Sequence, residues 1–229
     1  MGRVRAVRRA STSRISLAAT QGPVGADALL AAERRELVEG ATSARVAEFA
    51  AGRHCAHVAL ASLDPRFEGM PVLRDPRGAP EWPGGVVGSI THCAGWTGAV
   101  VARSRLSRFG RGVAAIGLDA EPIEPLPAGV VEVVASVEER EALARLGAER
   151  PGIPWDTLLF CVKEATYKAW YPLTGSVVGH DAVRVELSPT RGFTAVASAD
   201  DVTGRPTTLK VHGRWRIGPR VVVALGVVP

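Results

Sequence analysis

FCVKEATYKAWYPLT, residues 160–174, is the stretch from which this chain is best read. It holds two of the three lysines in the protein, Lys163 and Lys168; the third is Lys210, and every other strong base is arginine. Against that bias, two lysines beside a glutamate mark places where a compact ammonium serves and a guanidinium fork does not. The spacing predicts a helix. Leu158, Val162, Ala165 and Ala169 recur on one buried face, and Asp156 is expected to cap the N-terminus. Pro172 is expected to stop the helix and Gly175 to open the next loop. Glu164 and Lys168 are four residues apart, so they share a flank at the edge of the apolar stripe, with Lys163 pointing away. Taken alone, that pair is compatible with a surface ion pair worth a few tenths of a kcal/mol.

A second signal lies upstream. Residues 113–118 read as a short apolar strand that ends in Asp119-Ala120-Glu121 and is halted by Pro122. Residues two apart on a strand face the same side, so Asp119 and Glu121 project together. Side by side, two carboxylates repel unless a cation or a proton lies between them. Paired hard oxygens are also what a protein usually offers Mg²⁺. A polar strand end on the surface is the simpler alternative. Ser136 and Glu139 form a capping box at the head of an amphipathic helix over 136–146. Strand-like segments follow the central helix at 177–178, 183–187, 193–197, 208–213 and 221–228; their β-branched alternation predicts an antiparallel sheet.

Toward the N-terminus, residues 26–50 have helical periodicity interrupted at Gly40, and Val58, Leu60 and Leu63 continue the packing of a second helix. Arg45 and Arg53 stand eight residues apart, on one side of that helix if Gly52 does not break it. The Pro- and Gly-rich stretch 71–85 reads as loop with one short strand, and it carries Arg74 and Arg77. In 86–102 the small residues Gly88, Ser89, Thr91, Gly95 and Gly98 allow close backbone approach. His92 at their centre suits either a structural hydrogen bond or a contact to phosphate. Residues 96–102 read as a strand, and 103–111 as a basic connection at the midpoint of the fold.

With 229 residues, 46% of them hydrophobic, the chain can bury a substantial core. No apolar run reaches the length of a membrane span, so no membrane partner is expected. Cys55, Cys93 and Cys161 show neither a disulfide framework nor metal-ligand pairing, which fits a reducing cytoplasm, with Cys55 and Cys161 as buried small hydrophobes. The net charge of +5 is a local matter. Arg3, Arg5, Arg8, Arg9 and Arg14 lie in the first 25 residues without an acid, and the remainder carries 23 basic and 23 acidic residues. A neutral body argues against a nucleic-acid surface. The expected division is a disordered basic tail over 1–25, an N-terminal half over 26–111 and a C-terminal half over 112–229. No phosphate-binding glycine loop, nucleophile elbow or solenoid repeat is present.

A carboxylate pair, a Glu/Lys pair and a histidine among small residues are the parts of a divalent-metal phosphoryl-transfer site. GLDAEP at 117–122 and FCVKEATYKAW at 160–170 resemble the paired signatures of the Sfp-type 4′-phosphopantetheinyl transferases. GSITHCAGW at 88–96 and GRHCAHVAL at 52–60 resemble the subgroup that includes the enterobactin-associated enzymes and the actinobacterial activators of polyketide and mycolate synthases. The resemblance runs from about Arg45 to the C-terminus.

It implies an α+β fold of two similar halves with antiparallel sheets about a pseudo-twofold axis. It also implies transfer of the phosphopantetheine arm of coenzyme A to the serine of an apo acyl, polyketide or peptidyl carrier protein, by a cytoplasmic monomer. Asp119, Glu121 and Glu164 would bind Mg²⁺ (or Mn²⁺), with Glu164 as general base directly or through water. Lys168 would contact the pyrophosphate with Lys163 near it, and His92 would donate to a phosphate with Thr91 beside it. Arg45 and Arg53 would hold the 3′-phosphate, and Arg74 and Arg77 would line the nucleotide. Outside the resemblance, the same carboxylates and Lys168 are compatible with a metal-dependent nuclease or phosphatase, and the Arg-rich tail with a nucleic-acid-binding module.

Overall fold

The computed structural model describes residues 5–6, 15–37, 40–105 and 112–229, and it divides into two units, Met1–Ile116 and Gly117–Pro229. In the first unit a four-stranded antiparallel sheet carries one long helix. Its strands are β1 (Arg5–Ala6), β2 (Ile15–Gln21), β5 (Val86–Cys93) and β6 (Trp96–Arg103), in the order β1-β2-β6-β5. The short helix α1 (Ala31–Arg34) precedes the long helix α2 (Ser43–Leu63), and β3 (Leu73–Arg74) pairs with β4 (Pro80–Glu81). Thr42 caps α2 by accepting the Arg45 N–H. Gly52 does not break the helix, because a bare backbone lets it approach the sheet: a Cβ there would lie 3.1 Å from Ile90 Cγ2. Cys55, Ala56, Ala59 and Leu60 of α2 pack on Ala18, Val86, Ala99 and Val101 of the sheet.

Three expectations change here. Residues 15–21 are not tail but strand β2, in register with β6 from Ile15↔Ala102 to Gln21↔Trp96; alternation of Leu17 and Ala19 with Ala18 and Thr20 puts the latter two in the core. Residues 1–4 and 7–14 of the expected tail lie outside the described residues, as do residues 106–111 of the basic connection. The small-residue stretch holding His92 is strand β5, joined to β6 through a two-residue turn in which Ala94 and Gly95 both have positive φ. Finally, the 71–85 loop contains two short strands, not one.

The second unit repeats the plan with an added width. A five-stranded sheet has the order β7-β11-β10-β9-β8, from β7 (Ala115–Pro122), β8 (Val183–Leu187), β9 (Gly192–Asp200), β10 (Pro206–Ile217) and β11 (Val221–Val228). Helices α3 (Val130–Val134), α4 (Val137–Glu149) and α5 (Trp155–Thr174) lie between β7 and β8 in the chain. The expected strand at 177–178 is absent, and helix α3 forms ahead of the expected helix at 136–146. Helix α5 starts after Pro154, so Asp156 sits in its first turn and accepts the Leu126 N–H instead of capping. Pro172 does not stop it: the helix runs to Thr174 and ends where Gly175 takes the left-handed conformation. The buried stripe of Leu158, Val162, Ala165 and Ala169 holds as expected, with Trp155 set edge-on against Trp215 of β10. No helix among the described residues is long and apolar enough to cross a membrane.

Each unit is braced by one buried carboxylate. In the first, Glu33 of α1 accepts the Leu30 N–H, the Val72 N–H and the His57 Nε2–H of α2, at 3.0, 2.9 and 2.8 Å. In the second, Glu139 of α4 accepts the Ser136 N–H, the Val185 N–H and a Lys163 Nζ–H of α5, at 2.9, 2.8 and 2.8 Å. The acid and its side-chain nitrogen partner are 24 residues apart in both cases. Each carboxylate thus ties the start of a short helix, the long helix and the following strand region to a single point.

Candidate active site

Strand β7 meets α5 at Gly117. A Cβ at that position would lie 1.8 Å from the Ala165 carbonyl oxygen and 3.0 Å from the Ala169 N, so only glycine permits the contact. Two residues further along β7, Asp119 is buried, and its Oδ1 accepts a hydrogen bond from Lys168 Nζ at 2.6 Å. Glu121 follows on the same side of the strand, half-buried. Its carboxyl is pushed up to about 7, first by burial and then by the charge of Asp119, with Glu164 adding to the rise and Lys168 opposing it. Glu164 and Lys168 do share a flank of α5, yet they do not pair with each other. Lys168 turns to Asp119, and Glu164 Oε1 accepts from His180 Nε2 at 2.8 Å. Fully buried beneath them, Cys161 has its thiol pushed well up by burial and by Asp119 and Glu121, which leaves it protonated and inert.

Lys163 is placed apart from this cluster. Its ammonium is buried and donates to the Val134 carbonyl at 2.6 Å, to Glu139 Oε2 at 2.8 Å and to the His180 carbonyl at 2.9 Å. All three N–H bonds are used inside the fold, so the geometry gives no support to a contact with coenzyme A. The sequence expectation that Lys163 points away from Glu164 and Lys168 agrees with this placement.

The first unit gathers a different set. Arg53 of α2 is buried with its guanidinium 4.4 Å from the Phe49 ring centroid, and Arg74 of β3 lies 5.0 Å from the same ring. Arg74 also donates to the Glu36 carbonyl, whereas Arg53 Nε and Nη2 have no hydrogen-bond partner among the described residues. Burial lowers the Arg53 pKa, with Arg74 adding to the effect while Glu33 and Glu36 oppose it. Arg77 stands on an exposed turn and does not join the pair. Arg45 is exposed at the start of α2, 3.4 Å from Glu48, and His92 at the end of β5 lies 4.0 Å from the other oxygen of Glu48. Thr91, next to His92, is buried on the opposite face of β5. Sequence reading missed Phe49, Glu48 and His180. Phe49 falls inside the periodic stretch 26–50, but nothing in its spacing announces two guanidinium groups on its ring.

Among the described residues, no three carboxylate, imidazole or thiol side chains are drawn together as in a formed metal centre. Asp119 and Glu164 each have a nitrogen partner. The donor set nevertheless fits a hard divalent cation. It is all carboxylate oxygen, and the mutual repulsion that raises Glu121 is what such a cation would relieve.

Residues 33–102 match the 4′-phosphopantetheinyl transferase N-terminal domain and residues 115–221 the 4′-phosphopantetheinyl transferase superfamily. The chain is 43% identical to 4′-phosphopantetheinyl transferase Svp of Streptomyces mobaraensis over 206 residues, covering 89% of this chain and 80% of that one. The chain belongs to the 4′-phosphopantetheinyl transferase superfamily. It is also 36% identical to 4′-phosphopantetheinyl transferase PptT of Mycobacterium tuberculosis over 192 residues, 81% of this chain and 80% of the relative. Enterobactin synthase component D of Salmonella typhi matches over 127 residues at 35% identity, covering 55% and 48%. The resemblance seen in the sequence is therefore borne out, and the match to the N-terminal domain begins earlier than Arg45, at residue 33. Both stretches that carried the resemblance, 117–122 and 160–170, fall inside the second matched range and on the two elements that meet at Gly117. The nuclease pattern, with Glu and Lys two apart on a strand, is not met: Glu164 and Lys168 are four apart on a helix.

Proposed function

We propose that this chain transfers the 4′-phosphopantetheine arm of coenzyme A to the serine of an apo acyl, polyketide or peptidyl carrier protein, releasing 3′,5′-ADP. The observation that carries this reading is the Asp119–Lys168 contact at 2.6 Å, with Glu121 and Glu164 in the same electrostatic cluster, in a chain of this superfamily. The serine oxygen attacks the β-phosphorus, a P–O bond to the carrier forms, and the P–O bond to the nucleotide breaks. Glu164, directly or through a water it holds, takes the hydroxyl proton. Lys168 donates to the pyrophosphate oxygens where negative charge builds, and it is kept in place by Asp119. His92 donates to a further phosphate oxygen. Asp119, Glu121 and Glu164 would hold Mg²⁺ or Mn²⁺, which neutralises the pyrophosphate when bound.

The buried guanidinium of Arg53, whose Nε and Nη2 have no acceptor among the described residues, supports a 3′-phosphate contact, because a buried N–H without an acceptor is costly and a phosphate supplies one. Arg74, at the same ring, is the better supported of the two loop arginines. Arg45 and Arg77 complete the nucleotide side of this reading. Two halves about a pseudo-twofold axis, a monomeric state and a cytoplasmic location belong to the same proposal. Intact-mass spectrometry of an apo carrier protein incubated with the chain, coenzyme A and Mg²⁺ tests it. A gain of one phosphopantetheine arm, lost with EDTA, is expected; no gain on carriers of all three kinds overturns it.

A further inference from the structure

We propose that His180 is a positioning residue for Glu164, one that fixes the direction of this carboxylate for the transfer reaction. The inference rests on the function proposed above. His180 lies on a single helical turn, His180–Ala182, that enters β8. It is gripped from α5 at three points. Its Nε2–H donates to Glu164 Oε1 at 2.8 Å. Its ring leans on Phe160, one helical turn before Glu164, with centroids 5.5 Å apart. Its carbonyl accepts from the buried Lys163 ammonium at 2.9 Å, so the brace that ties α4 to α5 also fixes the backbone of this turn.

The contrast between the two ion pairs on α5 points to orientation as the purpose. Lys163 and Glu139 are 0% and 6% exposed and act within the core, whereas His180 and Glu164 are 35% and 28% exposed. A pair that open to solvent adds little to stability. Three contacts on one histidine are more than such a small gain calls for, but they suit a carboxylate whose lone pairs must face one way. With Oε1 held by His180, Oε2 is the oxygen left to take a serine proton or to meet a cation. Loss of a hydrogen-bond partner that orients a metal-ligating side chain, the part proposed for Glu164, typically costs about 10–100-fold in metal affinity or activity.

The test compares His180→Phe, which keeps a ring against Phe160 and drops the donor, with His180→Gln, whose amide N–H can donate to Glu164. Steady-state kinetics on an apo carrier are read alongside Mn²⁺ binding by electron paramagnetic resonance, with folding checked by circular dichroism. For His180→Phe, kcat is expected to fall about 10–100-fold, with KM for coenzyme A within about twofold of the unaltered chain and Mn²⁺ binding weakened by a similar factor. His180→Gln is expected to recover most of both. Retention of kcat and Mn²⁺ affinity in folded His180→Phe overturns the proposal. Equal losses in both variants overturn it as well, since they would mark a packing role. If the unaltered chain transfers no arm, the function proposed above fails, and the Mn²⁺ titration of the two variants still decides whether His180 sets Glu164.

Discussion

Replacing Lys163 with Met separates the two lysines of α5 by role. The side chains are of similar length, so the main loss is the charge and its three hydrogen bonds. Lys163 Nζ lies 2.8 Å from Glu139 Oε2 with both side chains buried. At an effective dielectric constant of about 20 that separation corresponds to about 6 kcal/mol of attraction, most of it offset by the cost of drying the two charges. What the substitution exposes is the other side of that balance. Glu139 keeps the N–H bonds from Ser136 and Val185 but has no cation, and the Val134 and His180 carbonyls each lose a donor. Breaking a buried pair in this way costs about 3–5 kcal/mol, a large share of the roughly 5–15 kcal/mol that holds a typical domain. Urea unfolding followed by circular dichroism measures it. The double variant Lys163→Met/Glu139→Gln is expected to regain most of the loss, because no charge is then stranded. If Lys163→Met unfolds within about 0.5 kcal/mol of the unaltered chain, the penalty expected for a stranded buried carboxylate is absent and the reasoning fails. A tenfold rise in KM for coenzyme A in that same variant would place Lys163 on the substrate and refute the structural reading.

Four further outcomes are expected. Asp119→Asn leaves the fold intact but lowers kcat by about 10²–10³, as loss of a preorganised electrostatic partner does; single-turnover kinetics on an apo carrier check it. Gly117→Ala forces a methyl into the Ala165 carbonyl, so both the thermal midpoint and the activity fall, and a variant as stable and active as the unaltered chain would contradict the packing. Arg53→Met raises KM for coenzyme A by roughly 10-fold or more, the worth of a hydrogen bond to a charged group, while KM for 3′-dephospho-coenzyme A stays unchanged. At Glu33, burial pushes the carboxyl up, but the His57 hydrogen bond, the Val72 and Leu30 N–H groups and the charge of His57 together bring it below its ordinary value. A folded-state value below the unfolded one gives stability that is complete above about pH 4.3 and is lost as pH falls through the folded value. The urea midpoint of Glu33→Gln should therefore change less between pH 7 and pH 3 than that of the unaltered chain.

Periodic and paired signals were legible before the fold was known. The α5 stripe, the Ser136–Glu139 capping box, the joint projection of Asp119 and Glu121, and the burial of Cys55 and Cys161 all depend on neighbours within a few residues. Errors arose where distant contacts decide. Residues 15–21 look like part of a basic tail until β6 supplies their partners. Pro172 reads as a stop, but it removes only its own bond to the Lys168 carbonyl, and the helix closes beyond it with the Gly175 N–H donating to the Tyr171 carbonyl. Lys168 and Glu164 look like each other's partners because they are four apart. Asp119 and His180, far along the chain, provide a closer nitrogen or oxygen for each. Gly117 carried the least signal of all for its effect, since a glycine in a strand does not say which helix carbonyl it is there to admit.

The two braces also show which residues of the long helices serve the frame and which serve chemistry. Glu33 and His57 correspond to Glu139 and Lys163 at a constant offset in sequence, and Cys55 corresponds to Cys161 at that same offset, both cysteines buried and aimed at a sheet carbonyl. Aligned this way, Val58 and Ser62 of α2 fall at the positions of Glu164 and Lys168 on α5, and Leu159 falls at the position of Arg53. Frame residues thus keep their type or a nitrogen donor from one unit to the other, while the residues assigned to phosphate and to transfer differ completely. A carboxylate and an ammonium were acceptable at 164 and 168 because those positions lie on the flank of the helix, outside the stripe that the sheet covers. Arg53 is the opposite case, a guanidinium at a buried position whose counterpart is an ordinary Leu. Hydrophobic packing does not call for an arginine there, and the Phe49 ring and the neighbouring acids only partly offset its burial. An anion seated against Nε and Nη2 would complete that balance, and this is the support that Arg53 has for the proposed 3′-phosphate contact and the exposed Arg45 lacks.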